Sequence, residues 1–297
     1  MMRGALYWSV RRELWENRSI YLAPILVAAA MLGVAVTFAS IHLDDILAKS
    51  AAIDPARAVA AAARAFDGVA AALIATSVLV AWFYCLDSLY GERRDRSILF
   101  WKSLPVSDVT SVAAKALVPL AILPAVAFAV ILATLLVMVA ISSAVLAAKG
   151  LPGAGGIWTS VFSAANLGVL AYGLASQALW HAPVFAFLMA VSAAVQRSPL
   201  LWAVLPFVGG VLIEKVTLGS HALATFVRWR LLGSFDEAFA MPKAKGAVPE
   251  AMQWPIPGEP IPDPVKLLAS PGLWAGLAVA LALLALAVWL RRRRDPI

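Results

Sequence analysis

A compact charged segment at residues 92–104 carries the residue types in this chain that are best suited to binding another protein. Helical spacing places Ile98, Trp101 and Leu104 on one face, while charged side chains occupy the other face. Pro105 ends this helix, because proline cannot donate the next backbone hydrogen bond. We therefore expect a short helix within residues 91–107, with aromatic and cationic side chains suited to burial in a partner's groove. The candidate contact residues are Glu92, Arg93, Arg94, Asp95, Arg96, Phe100, Trp101, Lys102 and Leu104.

The sequence offers little that indicates catalysis. It has three histidines and one cysteine, and none of them stands at a metal-binding spacing. There is no serine elbow and no Gly-rich loop ending in Gly-Lys-Ser or Gly-Lys-Thr. We therefore expect no active site, no metal and no nucleotide site on this chain. Cys85 lies within an apolar run and is expected to be an inert packing residue.

Composition places the chain in lipid rather than in water. Hydrophobic residues make up 62% of the sequence and charged residues only 14%, and the mean hydropathy is +0.86. A soluble domain is closer to half apolar and a quarter charged. The net charge of +7 does not predict nucleic-acid binding, because the basic residues are concentrated at the ends of apolar runs.

Six apolar runs are long enough to cross a bilayer, which takes about 20 helical residues. We therefore predict an all-α, polytopic membrane protein with six transmembrane helices, forming a single domain over residues 1–297. The third and fourth runs exceed the bilayer thickness, and kinks are expected at Pro119, Pro124 and Pro183. The long loop at 219–269 should begin with an amphipathic stretch and then become extended, because it is rich in proline. The predicted spans are 20–41, 68–90, 110–147, 160–195, 199–218 and 270–290.

Charge distribution predicts the orientation of these spans. If both termini, the loop at 91–109 and the turn at 196–198 share one side, that side holds fourteen of the 24 Lys and Arg but only seven of the 17 Asp and Glu. The positive-inside rule makes that side cytoplasmic. Residues 1–18 are expected to form an interfacial helix with Trp8 and Trp15 at its flank, although a plain solvated helix is an alternative. The simplest alternative for the 92–104 segment is that its charges only orient the bundle.

A few polar residues lie within the predicted spans, where they usually face the bundle interior. Asn166, Gln177 and His181 share one side of the fourth span and form a possible substrate path. Hydrogen bonding to a neighbouring helix explains this stripe equally well. Asp87 and Lys115 lie at similar depths in the second and third spans, so an ion pair between them is also possible.

The run from Tyr90 to Asp108, followed by Lys115, resembles the signature of bacterial type-2 ATP-binding-cassette (ABC) exporter permeases. The expected interfacial helix resembles that family's elbow helix, and Trp180 to Pro183 resembles its kinked fourth span. The basic tail from Arg291 to Ile297 resembles the family's usual ending. Essentially the whole chain is covered by this resemblance, of which the charged loop is the specific part. The outer loop is longer and richer in proline than a minimal exporter needs.

This resemblance implies that residues 92–105 form a coupling helix seated on a separate ABC ATPase subunit. Two permease chains and two ATPases would form one transporter in the bacterial inner membrane, with ATP and Mg bound by the ATPase partner and no cofactor on this chain. A hydrophobic or amphipathic substrate, such as a lipid, peptide or drug, would move by alternating access. The alternatives are a gradient-driven secondary transporter or channel, and a membrane sensor or scaffold subunit that transports nothing.

Overall fold

The structure is a computed structural model that describes the backbone of residues 2–51, 55–103, 106–148, 154–240 and 261–293. Within these ranges, side chains are described except at 2–3, 38–51, 55–65, 101–103, 154 and 160. Nearly all of the described backbone is helical, and the one small sheet pairs Phe239–Ala240 (β1) with Ile261–Pro262 (β2) in antiparallel register. Most of the predicted extended part of the outer loop, 241–260, lies outside the described residues.

The first half of the chain contains the following helices. They are α1 (Met2–Glu16), α2 (Ser19–Ala51), α3 (Pro55–Ser88), α4 (Tyr90–Arg94), α5 (Ser97–Ser103), α6 (Asp108–Leu117) and α7 (Leu123–Ala148), with a π-helical turn at Val118–Ile122. The second half contains α8 (Ala154–Val161), α9 (Ala164–Ala194), α10 (Pro199–Leu218), α11 (Ala222–Leu232), α12 (Ser234–Ala238), α13 (Pro264–Ala269) and α14 (Pro271–Arg293).

Six helical segments of the described chain are long and apolar enough to cross a membrane, which confirms the predicted number. They are Ser19–Thr37, Phe66–Arg94, Asp108–Ala148, Ala164–Ala194, Pro199–Leu218 and Pro271–Arg293. The π-helical turn contains Pro119 and ends just before Pro124, so the third span is irregular near the predicted kink. Pro183 lies inside α9. Two short helices, α11 and α12, occupy the amphipathic stretch that was expected at the start of the loop at 219–269, and α13 lies at the end of that loop.

Local sequence signals explain several helix boundaries. Ser107 caps α6 by accepting a hydrogen bond from the backbone N of Thr110 at 3.1 Å. Asp263 caps α13 through the backbone N of Lys266 at 2.8 Å. Helix α10 ends at Leu218 and is followed by Gly219, whose φ of 62° lies in the left-handed region that glycine adopts without strain.

The chain divides into two compact units. The first comprises Met1–Trp15, Trp82–Ala121 and Tyr172–Ile297, and the second comprises Glu16–Ala81 and Ile122–Ala171. The second unit has an apolar core made by α2, α3, α7 and α8, including Leu73, Ile131 and Val139. In the first unit, α9 packs against α14 through the small residues Ala182, Ala186 and Ala280. Small side chains allow helix backbones to approach closely, as is common in membrane bundles.

Candidate functional site

The charged segment forms two short helices rather than the single helix predicted: α4 completes the second span, and α5 lies between the second and third spans. Helix α4 ends at Arg94 and α5 begins at Ser97. The break lies at Asp95 and Arg96, where Arg96 has a φ of 57°. A left-handed conformation costs a residue with a side chain roughly 1–2 kcal/mol. The left-handed conformation of Arg96 therefore sets the direction of α5 after α4, and it costs part of the free energy of folding.

Helix α4 is the buried root of this segment. The side chains of Glu92 and Arg93 are almost completely buried among other residues of the first unit. The Arg93 Nη1 atom donates to the carbonyl oxygens of Ala193 at 2.7 Å and Val195 at 3.1 Å, at the end of α9. The Ser192 hydroxyl oxygen accepts from the backbone N of Leu89 at 3.1 Å and of Tyr90 at 2.8 Å. Glu92 and Arg93 thus hold the segment in place and, in this conformation, are not presented to a partner.

Six charged side chains form a cluster around Glu92, which we call the ion-pair cluster. They come from α1, α4, α6 and the end of α14. The Glu92 Oε1 atom lies 3.1 Å from Lys115 Nζ and 3.2 Å from Arg12 Nη2, while its Oε2 atom pairs with Arg291 Nη1. The cluster consists of Arg12, Glu13, Glu92, Asp108, Lys115 and Arg291.

Glu13 and Asp108 complete the cluster. Glu13 Oε1 lies 2.9 Å from Lys115 Nζ and 2.7 Å from Arg12 Nη2, and its Oε2 accepts a hydrogen bond from the Tyr84 hydroxyl at 2.8 Å. Arg291 Nε lies 3.0 Å from Asp108 Oδ1. Three cations thus face three anions among these six side chains, which balance in charge. A further cation, Arg292, lies with its Nε atom 3.9 Å from Asp108 Oδ2, and its side chain is 59% exposed.

Burial makes this neutrality important, because an uncompensated charge is costly away from water. Glu13 is fully buried and Lys115 is 2% exposed. Burial by itself would raise the pKa of the Glu13 carboxyl. The attraction and hydrogen bond of Lys115, together with those of Arg12, outweigh burial and hold the pKa of Glu13 below its ordinary value. Glu13 is therefore ionised at neutral pH.

The predicted ion pair between Asp87 and Lys115 is wrong. Lys115 points into the cluster and pairs with Glu13 and Glu92, as described above. Asp87 is largely exposed, and its Oδ1 atom lies 3.8 Å from Arg94 Nη1. The two residues do lie near the ends of neighbouring spans, but a fully buried carboxylate on α1 is the stronger partner for a buried ammonium.

Helix α5 presents an exposed apolar surface beside exposed charges. Ile98 is 1% exposed and anchors the helix, whereas Leu99 is 58% and Phe100 59% exposed. Arg94, Asp95 and Arg96 are exposed just before them. The side chains of Trp101 and Lys102, and all of Leu104, lie outside the described residues. We call the surface formed by Arg94, Asp95, Arg96, Leu99 and Phe100 the α5 surface.

Of the three polar residues predicted to share one side of the fourth span, Gln177 and His181 lie in the first unit and Asn166 does not. His181 is buried, with Nδ1 at 3.0 Å from the Gln177 carbonyl oxygen and Nε2 at 3.1 Å from the Leu231 carbonyl oxygen. The side-chain oxygen of Gln177 accepts a hydrogen bond from the Ser234 hydroxyl at 2.5 Å. Asn166 is exposed and belongs to the other unit. Gln177 and His181 therefore bind α11 and α12 within the first unit.

Sequence reasoning missed several residues that shape these sites. Glu13 and Asp108 gave no signal beyond being charged near a span end, and Arg291 is one of four consecutive arginines. Arg230 was also missed. Its guanidinium packs over the Trp180 ring at 4.6 Å, and its Nη1 donates to the Gly272 carbonyl oxygen at 3.0 Å. A Trp in one span and an Arg in a loop give no sequence signal that they meet.

No group of three or more His, Cys, Asp or Glu in the described ranges is arranged to hold a metal ion. The comparisons with known proteins add no relative: no protein-family model, curated protein or solved structure matches this chain.

Proposed function

We propose that this chain is the transmembrane permease subunit of an ATP-driven ABC exporter, with ATP bound and hydrolysed on a separate subunit. One observation carries the proposal. At the end of the second span, a buried root at Glu92 and Arg93 supports the short helix α5, whose Leu99 and Phe100 are exposed. The resemblance of the run from Tyr90 to Asp108 to the coupling region of ABC exporter permeases supports the same function.

The root gives the α5 surface a mechanical connection to the spans. Glu92 is joined to α1, α6 and α14 through the ion-pair cluster, and Arg93 is joined to the end of α9. A partner that moves α5 therefore moves the ends of several spans with it. ATP binding would close the partner ATPases and favour one spacing of two such helices, because a ligand acts through differential affinity for two states.

The remaining parts of the proposal follow from the family resemblance and from composition. The transporter contains two permease copies and two ATPase subunits in the bacterial inner membrane, with the ion-pair cluster and both termini on the cytoplasmic side. Its substrate is hydrophobic or amphipathic, such as a lipid, a peptide or a drug. The α5 surface, from Arg94 to Phe100, is the part of the coupling segment that the ATPase contacts.

Charge reversal on the α5 surface tests this function. The variant Arg94→Glu/Arg96→Glu is reconstituted with its ATPase in vesicles, and ATP-dependent substrate movement is measured without an ion gradient. Interface anchors are commonly worth 2 kcal/mol or more, so transport should fall roughly tenfold or further while the purified chain keeps its unfolding midpoint. Arg228→Glu, an exposed charge reversal on α11, is the matched control and should transport normally. Normal transport by the double variant, or movement that requires an ion gradient, contradicts the proposal.

A further inference from the structure

A groove lies between α1 and the start of α6, on the side of the first unit that holds the ion-pair cluster. Its volume is about 290 Å³, and its lining includes Trp8, Ser9, Arg11, Trp15, Val106 and Ser111. This volume lies just below the ~300–1,000 Å³ of sites that enclose a drug-sized ligand. The groove can therefore hold a compact polar group, with any long chain left outside.

Arg11 and Arg12 both line this groove, and Arg11 is the one of the two that lies outside the ion-pair cluster. The Arg11 guanidinium lies 5.1 Å from the Trp8 ring and 4.7 Å from the Trp15 ring, so it is stacked between two aromatic side chains. Within the described part of the chain, no carboxylate pairs with Arg11. The neighbouring Arg12 differs, because it is held by Glu13 and Glu92 in the ion-pair cluster. Among the described lining residues of the groove, none is acidic.

Trp8 and Trp15 define where this groove meets the membrane. With Arg11 they fall within about 60° of one another around α1, at 100° per residue. Both tryptophans are well exposed, Trp8 by 60% and Trp15 by 65%. Tryptophan prefers the boundary between the headgroups and the acyl chains, so two exposed tryptophans on one side of α1 favour a position in that layer. A ligand from the bilayer therefore reaches the groove without leaving the interface.

We propose that this groove binds the headgroup of an anionic phospholipid, with the phosphate on Arg11 and the acyl chains along Trp8 and Trp15. The guanidinium matches a phosphate with two parallel N–H donors, which an ammonium cannot do. The absence of acidic lining residues in the described chain favours an anionic headgroup over a zwitterionic one. The proposal concerns lipid binding by α1 and holds whether or not the chain is an exporter subunit.

Lipid titration of the full-length chain in detergent, followed by native mass spectrometry, tests the proposal. Phosphatidylglycerol should bind more tightly than phosphatidylcholine. A basic residue near an anionic surface contributes about 1 kcal/mol, so Arg11→Gln should weaken phosphatidylglycerol binding about fivefold. Arg11→Lys should lie between the wild type and Arg11→Gln. The matched control is Arg18→Gln, which removes the same charge at an exposed position that does not line the groove, and it should bind like the wild type.

A second variant keeps the test independent of charge and of folding effects at Arg11. Ala5→Phe fills the groove, whose lining includes Ala5, and should weaken phosphatidylglycerol binding while the far-UV spectrum is retained. Inorganic phosphate should not displace the bound lipid, because it lacks the acyl chains. Equal losses in Arg11→Gln and Arg18→Gln, no preference for phosphatidylglycerol, unchanged binding in folded Ala5→Phe, or displacement by inorganic phosphate would each overturn the proposal.

Discussion

Lys115 is buried in the third span and depends on two carboxylates that are distant in sequence. Glu13 approaches it from α1 and Glu92 from α4, and both contacts are about as short as hydrogen bonds. A buried ion pair is weak support for stability by itself, but loss of one partner leaves the others uncompensated. The ion-pair cluster should therefore tolerate the removal of matched charges better than the removal of one.

Lys115→Met tests the dependence of the ion-pair cluster on charge compensation. Removal of the ammonium leaves two buried carboxylates with less compensation, and the free energy of unfolding should fall by about 3–5 kcal/mol. The measurement is denaturation by SDS in mixed micelles. Asp87→Asn removes the charge of the exposed carboxylate near Arg94, and it should change the free energy of unfolding by roughly 0–1 kcal/mol.

The double variant Glu13→Gln/Lys115→Met, compared with the two single variants, completes a double-mutant cycle. Because the two side chains are in direct contact, the loss in the double variant should be smaller than the sum of the single losses. Strictly additive effects would mean that the contact between Glu13 and Lys115 carries no coupling energy, contrary to the geometry.

The lowered pKa of Glu13 predicts a dependence of stability on pH. The folded state holds this carboxyl ionised more firmly than the unfolded state does, so its contribution is fully present above its ordinary pKa of 4.5. That contribution is lost as the pH falls through the lower pKa of the folded state. Wild type should therefore exceed Glu13→Gln in unfolding midpoint at neutral pH, and the gap should shrink below pH 4.5. A gap that stays constant down to about pH 3 would contradict the assignment.

Ser192 joins two elements, the end of the second span and the end of α9. Its hydroxyl oxygen accepts from two consecutive backbone N–H groups, those of Leu89 and Tyr90, at the point where α3 ends and α4 begins. Those donors are buried or partly buried, and a buried donor without a partner costs about 1–3 kcal/mol. Ser192 therefore fixes the orientation of α4 relative to the end of α9.

Ser192→Ala should lower the free energy of unfolding by about 1–3 kcal/mol, because the donors at Leu89 and Tyr90 lose their acceptor. Ser88→Ala is a matched control at a buried serine that donates only to the Cys85 carbonyl within its own helix, and it should have a much smaller effect. Equal effects of the two substitutions in SDS denaturation would show that the contact between the elements contributes nothing.

The elements themselves were predictable to different degrees. The number of spans and their approximate bounds follow from apolar run length, which is a local property. The break at Arg96 was not predicted, because an arginine with positive φ has no sequence signal and is maintained by surrounding contacts. The short helices α11 to α13 are likewise determined by contacts such as that of Gln177 with Ser234, which join residues far apart in the chain.

The candidate site was predictable only in outline. The charged loop was identified because charged residues are rare in this chain. In the structure, Leu99 and Phe100 of this loop are exposed. The division into a buried root and an exposed surface could not be predicted, because it depends on partners on α1, α6, α9 and α14. Asp87 was a possible partner for Lys115 because the two lie at similar depths in neighbouring spans, whereas the fold supplied Glu13 and Glu92.

Coupling of the six spans to ATP hydrolysis depends on which protein contacts the α5 surface. In cells, a photo-crosslinking amino acid at position 99 should capture a polypeptide that contains the nucleotide-binding loop G-x-x-x-x-G-K-[ST], identified by mass spectrometry. The same amino acid at position 216, where an exposed valine lies near the end of α10, should capture no such ATPase. Capture of the ATPase from position 99 alone is the predicted result. The absence of any ATPase at position 99, or equal capture at both positions, would contradict the account.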